Sequence, residues 1–131
     1  MIILDTHVWV RWLDSEAAPL PSWMIDKIES ADRLAVSAVT CWEVAWLNRR
    51  GRIELTLPID VWFDQALQGS EVLCLPVERH IAIRAARLPE HHRDPADRLI
   101  IATALEHHAQ LASLDQHFPV YKELTEHLIR Q

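Results

Sequence analysis

Only two glycines occur in the 131 residues, and Gly51 and Gly69 stand alone, which excludes a glycine-rich phosphate cradle of the Walker or dinucleotide type. The two cysteines, Cys41 and Cys74, lack the Cys/Cys or Cys/His spacing of a zinc knuckle and are too few for a disulfide framework. They read as core thiols. No apolar run approaches the roughly 18 residues of a membrane span. Met1-Ile2-Ile3-Leu4 reaches Asp5 before a signal-peptide core could form, so the expected location is cytoplasmic, with no membrane contact. Basic residues are scarce too. Thirteen against nineteen acids give a net charge of −6, so any contact with nucleic acid must rest on a local basic patch or a bound cation.

What the chain has is apolar residues. They make up 50% of it, enough to bury a core without staples, and one domain spanning 1–131 is expected. Met1–Leu4 is a continuous apolar run ending at an acid, the pattern of a parallel strand covered on both faces. Leu34–Ser37, Val72–Leu75 and Gln110–Ser113 are further strand candidates. Apolar residues at helical spacing predict helices over His7–Leu13, Pro21–Ser30, Val39–Arg50, Pro58–Gln68, Glu78–Ala86 and Pro95–Ala109. Leu124, Leu128 and Ile129 predict one more, over Tyr121–Gln131, and Gly51 is placed to end its helix. Strands alternating with helices predict an α/β domain, with a mostly parallel central sheet of about four or five strands flanked by helices.

In such folds ligands bind beyond the carboxyl ends of the strands. Acids gather there from distant parts of the chain: Asp5 ends the first strand, Glu43 follows the second, Asp94 and Asp97 open the long helix, and Asp115 follows the fourth strand. Each also fits helix punctuation. Asp5 can cap a helix, Thr40-Cys41-Trp42-Glu43 matches a capping box, and Asp94-Pro95-Ala96-Asp97 places an acid at the cap, proline at the first position and an acid at the third. Helical phase separates the two readings. At about 100° per residue, Glu43 falls in the stripe of Val39, Trp46 and Leu47, and Asp97 in that of Ile101 and Ala104, so both point inward. Two carboxylates brought within about 4 Å at a partly buried rim repel by about 4 kcal/mol, so several together need a cation. Oxygen ligands without nearby cysteine favour Mg²⁺ or Mn²⁺, the ions of phosphodiester hydrolysis.

Leu4-Asp5-Thr6, Ser37-Ala38-Val39-Thr40-Cys41-Trp42-Glu43, the segment HRDPADRLIIATA from His92 to Ala104, and Leu111-Ala112-Ser113-Leu114-Asp115 together resemble the PIN-domain ribonucleases. More closely they resemble the VapC-type toxins of bacterial toxin–antitoxin pairs. The resemblance covers nearly the whole chain. It implies a PIN-like fold in which Asp5, Glu43, Asp97 and Asp115 are the catalytic acids and hold Mg²⁺ or Mn²⁺, with Asp94 as an additional or outer acid of the metal site. It further implies endonucleolytic cleavage of RNA, neutralisation by a small VapB-type antitoxin protein, and a homodimer. The residues alone reach only a metal-dependent phosphodiesterase. Two rivals stay open: a catalytically weak binding module, and a small-molecule phosphohydrolase with an aspartyl phosphate at Asp5. The second is disfavoured, because Asp5-Thr6-His7 lacks the second acid of a DxD motif.

Other polar residues read more plainly. Thr6 and Ser113 are turn residues beside acids, His7 is a helix-start histidine, and His91-His92 and His107-His108 are polar-face residues rather than metal ligands. Arg49, Arg50 and Arg52 form the one dense basic group, suited to a helix C-terminus or to phosphates. Arg98 lies four residues after Asp94, the spacing of a helix ion pair. Of the six tryptophans, Trp9, Trp12, Trp42 and Trp46 are able to stack bases or an antitoxin peptide, but their helical spacing favours core packing or a dimer face.

Overall fold

The computed structural model describes residues 1–14 and 18–131. The opening apolar run forms β1 (Ile2–Leu4), and its alternating side chains enter two different cores. Ile2 and Leu4 join Val8, Trp9, Met24, Ile28 and Val44 on one side of the sheet. Ile3 joins Ile100, Ile101, Leu111, Phe118 and Tyr121 on the other. A strand buried on both faces has no polar phase, which is why the run is unbroken.

After β1 come α1 (Thr6–Leu13), α2 (Ser22–Glu29), β2 (Leu34–Ser37), α3 (Ala38–Arg49) and α4 (Ile59–Asp64), the last continued by a π-helical turn over Gln65–Gly69. β3 (Val72–Leu75), α5 (Arg79–Arg87), α6 (Pro95–Glu106) and β4 (Gln110–Ala112) complete the domain core. Among the described residues the sheet has four strands, all parallel, in the order β3-β2-β1-β4. The first three strands step one way across the sheet, and β4 returns to the far side of β1. That reversal opens a crevice beyond the carboxyl ends of β1 and β4.

α3 begins directly on β2. Ser37 ends the strand and caps the helix, its Oγ accepting the Val39 N–H at 3.2 Å. The capping box expected at Thr40 therefore does not form. Thr40 is buried within the helix, and its Oγ1 accepts a hydrogen bond from Thr6 Oγ1 at 3.1 Å. Gly51, with φ of +71°, ends the helix as expected: its N–H donates to Asn48 O at 3.0 Å, and the Arg52 N–H to Leu47 O at 2.9 Å.

Two expectations fail at the far end of the chain. α6 stops at Glu106, because His108 takes a φ of +50° and turns the backbone into β4. The tail is not a helix: 3₁₀ turns at Phe118–Val120 and Lys122–Leu124 lead to a parallel bridge between Leu128 and Leu111. The Leu111 N–H donates to His127 O at 2.7 Å and the Ile129 N–H to Leu111 O at 3.0 Å. Unpaired backbone groups on the edge of β4 outweigh the helical spacing of the tail.

The cysteines are not core thiols. Cys74 is exposed and Cys41 half-buried, with their sulfurs 3.8 Å apart and both free. Burial, reinforced by Cys74, pushes the Cys41 thiol up to about 12. The tryptophans divide: Trp9 is fully buried against Trp62, with ring centroids 5.3 Å apart, whereas Trp42 and Trp46 lie exposed on α3. Among the described residues no helix is long and apolar enough to cross a membrane.

Candidate metal centre

Asp5 is the first residue beyond β1, and its N–H donates to Ala112 O at 3.0 Å, which ties it to the end of β4. One carboxylate oxygen caps α1 by accepting the Val8 N–H at 2.8 Å. The residue is buried. Burial pushes its carboxyl above the usual range, outweighing hydrogen bonds from Ser113 and Val8 that favour the charged form.

Glu43 sits in the second turn of α3, freed from capping because Ser37 does that work. Its Oε1 is buried without a hydrogen-bond partner. Asp94 is the N-cap of α6, exposed, with Oδ1 accepting the Ala96 N–H at 2.9 Å. Asp97, three residues on, does not fold back to complete a capping box. The N–H it would have accepted, that of Asp94, donates instead to His92 Nδ1 at 3.2 Å. Asp97 turns inward, and its Oδ2 lies 2.8 Å from His92 Nε2. Burial first, then the charges of Asp94, Glu43, Asp115 and Asp5, push the Asp97 carboxyl up to about 8.

Asp115 follows β4 and is held differently. Its partial burial would raise the carboxyl, but the His117 N–H at 2.8 Å, the His117 ring at 2.9 Å and His92 Nε2 at 3.3 Å keep it below the ordinary carboxylate range. The charges of Asp5, Glu43 and Asp115 all act on Asp97, so the four acids share one neighbourhood beyond the ends of β1 and β4, with Asp94 beside them as the helix cap.

His92 is the residue that sequence reasoning set aside. With Nδ1 accepting the Asp94 N–H, the ring proton is on Nε2, which faces both Asp97 and Asp115. It acts here as a shared donor that holds two carboxylates in place. His117, His92 and Asp115 offer atoms within 4.8 Å of one another, so imidazole nitrogens reach the acidic crevice as well. The available signal was position, two residues before a helix cap, rather than any metal-ligand spacing.

Arg98 does not pair with Asp94. Its guanidinium donates to the carbonyls of Ala85 at 2.8 Å, Leu88 at 2.7 Å, Pro89 at 3.0 Å and His92 at 3.1 Å, closing the end of α5 and pinning the loop that carries His92. Replacing Arg98 with Met leaves those carbonyls without their charged donor and is expected to lower unfolding free energy by about 2–4 kcal/mol, measured by urea titration. An unchanged midpoint would mean that water replaces the guanidinium without loss.

These residues fit a hard divalent cation. Among the described residues no lysine or arginine pairs with Asp5, Glu43, Asp97 or Asp115, and the only basic groups against them are histidines. A buried, unpartnered Glu43 oxygen and a carboxyl raised to about 8 by burial and then by its acidic neighbours are what convergent acids show when the balancing charge is an ion rather than a side chain.

Comparison with known proteins agrees with the fold. The sequence model of the PIN domain matches residues 2–124. Ribonuclease VapC22 of Mycobacterium tuberculosis is 38% identical over 116 residues, covering 88% of this chain and 87% of that protein. Among solved structures, VapBC2 from Rickettsia felis bound to a promoter DNA fragment is similar with a TM-score of 0.72 at 15% identity, over 100% of this chain and 99% of that one. VapBC-5 from Mycobacterium tuberculosis is similar with a TM-score of 0.58 at 24% identity, over 98% and 97%. The chain is a member of the PIN-domain family.

Proposed function

We propose that the chain, acting as one PIN-like domain over residues 1–131, is an endoribonuclease toxin that hydrolyses RNA phosphodiester bonds with the aid of Mg²⁺ or Mn²⁺. Asp5, Glu43, Asp97 and Asp115 hold the cation directly or through water, and Asp94 fixes the start of α6 so that Asp97 faces inward. When bound, the cation supplies a nucleophile at neutral pH and neutralises charge developing on the phosphate. The chain's own part is to orient the acids and to keep Asp115 ionised. His92 donates to Asp97 and Asp115, His117 donates to Asp115, and the Thr6–Thr40 bond fixes α1 against α3 beneath Asp5 and Glu43.

The observation that carries this reading is the buried, unpartnered Glu43 Oε1 facing a group of acids that has no lysine or arginine partner. The 38% identity to a ribonuclease supports RNA as the substrate. Likeness in fold to solved structures of toxin–antitoxin systems supports a VapB-type antitoxin as partner. The family resemblance supports a homodimer in the cytoplasm.

The test is RNA cleavage by the purified chain with Mn²⁺, with Mg²⁺ and with chelator, followed by analysis of the product ends. Cleavage that needs a cation and leaves 5′ phosphates is expected. Cleavage indifferent to chelator would refute the metal centre, and metal-loaded protein without cleavage would favour the binding-module reading.

A further inference from the structure

We propose that Cys41 and Cys74 form a reversible disulfide within one chain, closed by small-molecule disulfides, that staples the first turn of α3 to β3. The site depends on no property of the acid group and stands whether or not the chain cuts RNA.

The chain has two cysteines, and the fold brings these residues, 33 apart in sequence, to a sulfur–sulfur separation of 3.8 Å. A bond of about 2.05 Å needs an approach of roughly 2 Å, within reach of rotation about the two Cα–Cβ bonds. Topology makes the encounter. β2 and β3 run parallel, with Val36 opposite Cys74 and Ser37 opposite Leu75. α3 starts at Ala38, directly on β2, so its first turn, which ends at Cys41, stands beside the end of β3. Neither residue is placed as a packing thiol. A free cysteine that serves packing is among the most buried of residues, whereas Cys74 is exposed and Cys41 only half-buried.

The two thiols are not equivalent. Cys41 packs against the core that holds Trp9 and Val44, and burial, then the neighbouring Cys74, pushes its thiol up to about 12, so it stays protonated. Cys74 faces solvent and is the sulfur an oxidant meets first, with Cys41 behind it as the resolving thiol. The Cys74 thiolate attacks one sulfur of a small disulfide RSSR, forming a mixed disulfide and releasing RS⁻, which takes up the proton that Cys74 gave to water. The Cys41 sulfur then attacks the Cys74 sulfur, and its proton leaves with the second thiol. Two electrons pass from the protein dithiol to RSSR, which ends as two RSH. Excess RSH reverses both steps, so the pair is open among reducing thiols and closes as small disulfides accumulate. The closed bond ties the edge strand of the sheet to the helix that carries Glu43, and it needs no free face on α3.

The experiment treats the full, reduced chain with excess oxidised glutathione under native conditions, alkylates it in denaturant and maps the peptides by mass spectrometry. Expected are loss of both free thiols and of the mass of two hydrogens, a linked Cys41–Cys74 peptide pair, single-chain mobility on a non-reducing denaturing gel, and return of both thiols with dithiothreitol. The closed chain should melt about 5–15 °C above the reduced chain, because the bond constrains a long loop of the unfolded state. Cys41→Ser should stop at a mixed disulfide on Cys74, whereas Cys74→Ser should react at least about tenfold more slowly than the wild type. Melting is compared on one polypeptide in two redox states, so a variant that folds poorly does not decide the outcome. Retention of both thiols, a wild-type chain that keeps one glutathione, a covalent dimer in place of the internal bond, or a melting midpoint unchanged or lowered by closure each overturns the staple.

Discussion

Replacing Asp97 with Asn is expected to reduce metal-dependent RNA cleavage by at least about 10²-fold, more than the 10- to 100-fold typical of removing a group one shell further from a metal. The amide keeps the size of the carboxylate and its oxygen still accepts from His92 Nε2, so the local fold is retained while the charge is lost. The same substitution is expected to stabilise the metal-free chain at alkaline pH. The Asp97 carboxyl lies at about 8 in the folded chain against an ordinary value of 3.8, so between these values the folded state keeps a proton that the unfolded state has lost. Stability at this site therefore falls as pH rises through that window and stays low above it. Asn carries no such penalty. Thermal melts in chelator should show the variant above the wild type at pH 9, with the difference vanishing near pH 3. A variant that melts lower at pH 9, or that still cuts RNA at the wild-type rate, would remove Asp97 from the centre of the site.

Cation affinity is expected to depend steeply on pH for the same reason. Below about 8 the incoming ion must displace the proton on Asp97, so the apparent Kd for Mn²⁺ should rise as pH falls, approaching tenfold per pH unit below pH 7 and amounting to about 50-fold from pH 8 to pH 6. Calorimetric titrations in two buffers of different ionisation enthalpy should report release of about one proton per ion at pH 7. Asp115 contributes little to this slope, because His117 and His92 hold it ionised throughout the range. In Asp97→Asn the affinity should be weaker and its dependence on pH shallower, the remainder coming from Asp5, whose carboxyl burial also raises. A flat profile in the wild type would mean that the ion sits away from Asp97.

How far the sequence carried these conclusions depended on the range of the interactions involved. β1, the inward phase of Asp97 and the Gly51 helix end were legible, because each follows from residues within one or two turns of chain, whereas Glu43 has a buried oxygen although Trp46, assigned to the same stripe, is exposed. The capping box at Thr40 was not, because a distant hydroxyl, Thr6, takes Thr40 while Ser37 caps the helix one turn earlier. The tail showed helical spacing, and only the unpaired edge of β4 draws it into a bridge. Arg98 stood at ion-pair distance from Asp94 in sequence, yet the free carbonyls at the end of α5 and in the following loop outcompete a solvated cap. His92 could not be ranked from sequence, since its role exists only where Asp97 and Asp115 meet. The exposed Trp42–Trp46 pair was half legible: the spacing marked a common face, and the packing of α3 decided that the face is open.

The direct joint between β2 and α3 bears on how this chain can change length. Ser37 is at once the last residue of a strand and the cap of a helix, and Asp5, the one residue between β1 and α1, caps the helix that follows it. There is no slack at either joint to absorb an added residue. A single insertion inside the first turns of α3 would swing Glu43 about 100° around the helix axis and about 1.5 Å along it, out of reach of the other acids. An added residue is therefore expected to be tolerated in segments such as 51–58, between α3 and α4, where the chain runs outside helix and strand, and not at these joints.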